Sequence, residues 1–186
     1  MATLSKPAAE ACAETRAEAR SSGFRRKLIA IGVILVGGLA FQNLSHWSKT
    51  HAFMINQSES LPNWAFLVEA GRFPRRGEYV VFNPGRDPLV LKYFGEKPSA
   101  FAKVAYGVPG DIVSRSGADV LINGHKVATL KPVTRKGDPL PAGPLGKIPE
   151  GCVYAGSDHK DGFDSRYAAI GFVCRNRLAG VGSPIL

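Results

Sequence analysis

The chain is short of cysteine, of histidine and of acid, and each shortage excludes something. Its three cysteines, Cys12, Cys152 and Cys174, have no metal-ligand spacing. The four histidines, His46, His51, His125 and His159, form no His-x-x-x-His pattern, and none stands beside a cysteine. No metal and no cofactor are expected. Only 15 Asp and Glu stand against 24 Lys and Arg, a net charge of +9. The basic residues after position 47 are scattered and form no run with interleaved aromatics, so no nucleic-acid partner is expected. A basic domain beside an anionic membrane accounts for the charge at least as well. No internal repeat is visible. Beyond the first quarter of the chain there is no long apolar run. What is abundant is Gly (21) and Pro (13), with 45% hydrophobic residues, which favours a turn-rich, mainly β domain with a real core.

The N-terminal quarter differs from the rest. Residues 1–24 are rich in Ala, Glu, Ser and Arg and read as a polar cytoplasmic tail. Arg25-Arg26-Lys27 then precede an apolar run of 14 residues, Leu28 to Phe41. As a helix that run covers ~21 Å at ~1.5 Å per residue, whereas a spanning helix wants roughly 20 residues. Continuing to Trp47 supplies them and ends on an interfacial aromatic. Residues 25–47 are therefore read as a single transmembrane anchor, its basic flank inside. The competing reading is a signal peptide cleaved after Gly38-Leu39-Ala40. Either way, residues 48–186 lie outside the cytoplasm.

From Ala52 the pattern is short strands and turns. Strands are expected at 52–55, 77–82, 89–94, 101–107, 152–156 and 170–174. Val108-Pro109-Gly110-Asp111 has the residues of a type II turn. Asn123-Gly124 inside residues 120–128 is a type I′ hairpin signal. Residues 131–150, with five Pro and three Gly, are expected as a long surface loop.

Ser60 stands where the first strand must end, because Pro62 has no N–H for a ladder. Strand alternation puts the side chain of Ser58 on the same side. Such a pair is also common in ordinary turns. Lys103 lies in a strand with Phe101 and Ala105 on its own face, an apolar frame that would lower the pKa of an amine. Lys92, by contrast, is read as an edge-strand lysine that blocks aggregation. Cys152 and Cys174 are equidistant from Phe163, so antiparallel pairing of their strands could place them opposite each other. They could form a disulfide in an oxidising compartment or remain two buried thiols.

Four segments stand in order: Ser58-x-Ser60-Leu61-Pro62, Arg76-Gly-Glu-Tyr-Val-Val-Phe82, Lys103-Val-Ala-Tyr-Gly-Val-Pro-Gly-Asp111, and Phe163-Asp164-Ser165-Arg166-Tyr167. Together with the anchor they resemble the type I signal peptidase family, and within it the conjugative-transfer TraF-type peptidases. The resemblance implies a signal-peptidase-like β-sheet domain behind one transmembrane helix, at a bacterial inner membrane with the catalytic domain in the periplasm. It makes Ser60 the nucleophile, Lys103 the general base and Ser58 an oxyanion-hole donor, with Asp164 and Arg166 as structural support. The implied activity is a serine endopeptidase cleaving leader peptides of secreted proteins, above all the pilin precursor of a conjugative system. Its partners would be that precursor, docked as an extended strand, and membrane lipid. Alternatives within the resemblance are a pilin cyclase working by acyl transfer, a housekeeping signal peptidase and a non-catalytic pilus-assembly subunit. A self-cleaving repressor-type protease is disfavoured by the apolar segment. The chain departs from the family pattern at Gly162, where many members carry a serine that hydrogen-bonds the catalytic amine. Some other group must then orient Lys103.

Overall fold

The computed structural model describes residues 6–56 and 60–185, with side chains from residue 24 onward. The chain divides into two compact units between Lys49 and Thr50. The first holds a long helix, α1 (Lys6–Thr50). Its segment Phe24–Thr50 is long and apolar enough to cross a membrane, and apolar side chains such as Ile34, Val36 and Phe41 are exposed. The polar stretch ahead of it continues the same helix from Lys6.

The second unit runs β1 (His51–Ile55), β2 (Ala65–Ala70), β3 (Tyr79–Phe82), α2 (Pro88–Phe94), β4 (Phe101–Gly107), β5 (Ile112–Ser116), β6 (Asp119–Ile122), β7 (His125–Thr129), β8 (Gly146–Lys147), β9 (Cys152–Gly156), β10 (Val173–Cys174) and β11 (Leu178–Pro184). Seven strands form one sheet in the order β1-β2-β11-β3-β4-β9-β10, and four form a second in the order β7-β6-β5-β8. The unit is mainly β, as the Gly- and Pro-rich pattern indicated.

Both faces of the large sheet are covered. Val80, Phe82, Ala105, Val153 and Ala155 pack on one face with Val90 and Val173. Leu61, Phe66, Val68, Val81 and Ala102 pack on the other. Alternation along β3 thus buries Val80 and Val81 on opposite sides, so Tyr79–Phe82 reads as a continuous apolar run. A third cluster, with Val113, Val120, Ile122, Ile148 and Tyr154, joins the small sheet to β9.

The expected turns are present. Asn123 and Gly124 both have positive φ, 51° and 82°, as a type I′ turn demands. Gly110 has φ 94°, and the Asp111 N–H donates to Val108 O over 3.1 Å.

Several expectations are corrected. Residues 89–94 are helical, not a strand. Asp87 Oδ1 accepts from the Leu89 N–H at 2.9 Å, and Pro88 occupies the first helical turn. Those start signals outweigh the strand propensity of Leu89-Val90-Leu91, and the short helix buries Val90 on the sheet. Lys92 is therefore no edge-strand guard; it pairs with Asp138 at 2.6 Å. In residues 170–174 only Val173 and Cys174 join a ladder. The Arg177 guanidinium takes the Ile170 and Phe172 carbonyls at 2.6 and 2.8 Å, drawing them away from strand pairing. Residues 131–150 are not a free surface loop. They include β8, bury Ile148 and lie on the Asp164–Tyr167 segment through a Gly143 N–H bond to Arg166 O of 2.7 Å.

Candidate active site

Lys103 sits in the middle of β4, paired with Val80 of β3, and is 5% exposed. Val80 and Ala105, on its own face of the sheet, are buried, so the amine stands in apolar surroundings. Burial disfavours the ammonium and lowers its pKa to about 8; the Asp164 charge works against that shift and the Arg166 charge with it.

Ser60 follows β1 in a turn whose shape is held by named contacts. The Asn56 N–H donates to Trp64 O at 2.7 Å, and its side-chain amide donates to Asn63 O at 2.9 Å. Asn63 Oδ1 accepts from the Tyr79 hydroxyl at 2.8 Å, which ties the turn to β3. Leu61 plugs the core beside Val81 and Ala102. These anchors bring Ser60, half-buried, to the amine: Lys103 Nζ donates to Ser60 Oγ over 2.7 Å. With the amine neutral, the same separation lets the Ser60 hydroxyl donate to the nitrogen lone pair. Ser58 lies outside the described residues.

Asp164 and Arg166 are wholly buried, at 0% and 2% exposure. Arg166 Nε reaches Asp164 Oδ1 at 2.8 Å and its NH2 reaches Oδ2 at 2.9 Å, a two-pronged pair. For Arg166, burial opposes the charge, and the Asp164 bond and charge outweigh burial and hold the pKa above its ordinary value. The rest of the motif ties the segment to β9. Ser165 exchanges bonds with Ala155, its N–H to Ala155 O at 2.9 Å and the Ala155 N–H to its Oγ at 3.0 Å. Phe163 packs on the core, and the Tyr167 hydroxyl accepts from the Lys131 N–H at 3.2 Å. The ion pair is thus buried, and its two charges act on Lys103 in opposite directions.

Two contributors escape the sequence pattern. Asn56 is an ordinary strand-end residue until its turn contacts are seen. Ser157, 1% exposed, donates from both N–H and Oγ to Asp164 Oδ2 at 3.2 Å, and its carbonyl accepts from Arg166 NH2 at 2.6 Å. Only strand register, which no periodicity encodes, brings it here. Cys174 pairs with Cys152 in the β10–β9 ladder, and the two are joined by a disulfide. Among the described residues no three His, Cys, Asp or Glu side chains gather as a metal site.

A mainly β unit preceded by an apolar helix, with a serine hydroxyl on a buried amine, belongs to the signal-peptidase class of architecture. The model of the family "Signal peptidase, peptidase S26" matches residues 25–186, and the chain belongs to that family. It is 36% identical over 113 residues to the probable signal peptidase I-2 of Synechocystis sp., a match that takes in 59% of this chain and 46% of that protein. The chain thus spans about half the length of this curated relative. Among solved structures it is similar to a signal peptidase I from Enterococcus faecalis, at 20% identity and a TM-score of 0.36, over 59% of this chain and 97% of that one.

Proposed function

We propose that the protein is a membrane-anchored serine endopeptidase that removes leader peptides, with Ser60 as nucleophile and Lys103 as general base. The observation that carries the reading is the 2.7 Å bond between Ser60 Oγ and the buried Lys103 amine. A serine hydroxyl needs a base, and lysine serves only when neutral. Neutral Lys103 takes the Ser60 proton as Oγ attacks the scissile carbonyl. The resulting ammonium returns the proton to the leaving amine, leaving an ester on Ser60. Lys103 then deprotonates a water that hydrolyses the ester. Ser58 and the Ser60 N–H would stabilise the oxyanion, a donor of this kind being worth ~2.7–4 kcal/mol. Residues 25–47 would anchor the chain in a bacterial inner membrane, tail inside, with residues 48–186 in the periplasm. The substrate would dock as an extended strand with small side chains before the scissile bond.

The finer reading is a conjugative, TraF-type enzyme acting on a pilin precursor. Its support is the motif set, with Leu-Pro following the nucleophile and Asp-Ser-Arg-Tyr in the late loop. The test is cleavage of a pilin precursor by the detergent-solubilised full chain, with Ser60→Ala, Lys103→Ala and the double variant compared. Residues acting as one unit lose activity together, so each single variant is expected to be nearly as inactive as the double. Substantial turnover by Lys103→Ala refutes the dyad. Turnover of a general leader peptide but not of pilin removes the conjugative assignment alone.

A further inference from the structure

We infer that Ser157 is the positioning residue for the Lys103 amine, filling the place left open by Gly162. The inference rests on the Ser60–Lys103 reading and adds to it the group that aims the base.

Strand register places Ser157. In the β4–β9 ladder Val104 faces Gly156 and Ala105 faces Ala155. The ladder ends at the Val104–Gly156 pair, so Ser157 is the first residue beyond it, on the side where β4 continues to Lys103. At Ser157 the chain leaves the ladder, and both its backbone groups turn to the ion pair, N–H to Asp164 and carbonyl to Arg166. The side chain is fixed in the same way, its hydroxyl proton committed to Asp164 Oδ2 at 3.2 Å. The oxygen of such a hydroxyl keeps lone pairs to accept with. Lys103 has hydrogens to spare after Ser60, and gains one more when it becomes an ammonium. Asp164 and Arg166 are the charged groups that act on that amine.

Gly162 supplies independent support. A Cβ at that position would lie 2.4 Å from Ser157 Oγ, 2.8 Å from Asp164 Oδ2 and 2.9 Å from Arg166 NH2. Its backbone is not in the left-handed region, so space and not conformation keeps the position glycine. The Ser157 hydroxyl already stands where a side chain at 162 would begin. A hydroxyl carried by residue 162 and one carried by residue 157 therefore exclude each other, and this chain carries the second.

The test is steady-state cleavage by the detergent-solubilised full chain of a quenched peptide with alanines before the scissile bond, read as a pH profile beside a melting curve. Ser157→Ala is expected to lower kcat about ten- to a hundredfold, the scale of a misplaced catalytic group. Loss of an acceptor for the ammonium is also expected to move the acid limb of the profile to lower pH. A structural role alone moves the melting point and leaves the limb in place. If Ser157→Ala melts early, both readings are taken below its melting temperature. Gly162→Ser alone is expected to be impaired by the clash, and Ser157→Ala added to it is expected to recover part of the activity. An unchanged kcat and acid limb in Ser157→Ala overturns the inference, as does a Gly162→Ser variant that gains nothing from Ser157→Ala. Lys103→Ala serves as the control. If it is inert while Ser157→Ala is fully active, only the positioning role fails; if it is active, the dyad itself is wrong and the positioning role falls with it.

Discussion

Burying an ammonium costs free energy that burying an amine does not, and Lys103 is placed to feel that difference. Its pKa of about 8 lies below the ordinary value of 10.5. The folded state therefore binds fewer protons than the unfolded chain between those two values. Stability from this group is complete above the unfolded pKa and is lost as pH falls toward 8. Near neutrality the penalty is about 3 kcal/mol, at ~1.36 kcal/mol per pKa unit. Lys103→Met, which keeps the volume and removes the charge, is expected to stabilise the fold by about that much near pH 7. The gain should vanish by about pH 11, and urea melts at both pH values measure it. On the proposed mechanism the same group sets the activity profile. kcat/KM is expected to rise with pH through about 8 and then level, because it reports the free enzyme's essential base. A profile that falls from pH 6 to 9 contradicts a neutral-lysine base.

Among the elements, those that present the site were the easiest to read. β4 was legible to the residue, because Phe101–Gly107 alternates and is closed by a Pro-Gly turn. The Asn123-Gly124 hairpin was legible from its turn chemistry. What escaped was governed by contacts distant in sequence. β11 holds a central place between β2 and β3, yet no strand was expected over Leu178–Pro184. Gly180 explains the disguise: a Cβ there would lie 2.0 Å from Glu69 O on β2. Close approach of two backbones excludes a side chain, so the strand carries a residue that lowers strand propensity. Gly180→Ala is expected to destabilise the domain by about 1–3 kcal/mol, the usual cost of overpacking a fitted site. The loss should show as faster amide exchange in β2 and β11, with α1 unaffected. Of the candidate site, Ser60 and Lys103 were singled out by four motifs in family order and not by local sequence alone, whereas Ser157 was not singled out, because contacts across β9 and the Asp164 segment decide its place.

For the whole molecule, two features far apart in sequence bear on the same question of compartment. One is Arg25-Arg26-Lys27 ahead of the apolar part of α1, the basic flank on which the proposed orientation rests. The other is the Cys152–Cys174 bridge in that unit, a bond that persists in an oxidising compartment. It links β9 to β10 at the sheet's edge, on the strand that leads into Ser157 and the Asp164 strut. Closing a loop with a separation of 22 residues restricts the unfolded chain by about 3 kcal/mol. For a domain of this size the loss is roughly 10 °C in melting temperature. Thiol counting on unreduced, denatured protein is expected to find one free thiol, Cys12, and three would refute the bridge. Cys152→Ser with Cys174→Ser should melt about that much earlier yet cleave at nearly the normal rate when folded, because β9 is also held by β4 along its other edge. A variant pair with unchanged melting but lost activity would instead mean that the bridge shapes the site directly. A chain kept in the cytoplasm by deleting Phe24–Thr50 should show three free thiols and the lower melting point, which ties the position of the anchor to the stability of the domain behind it.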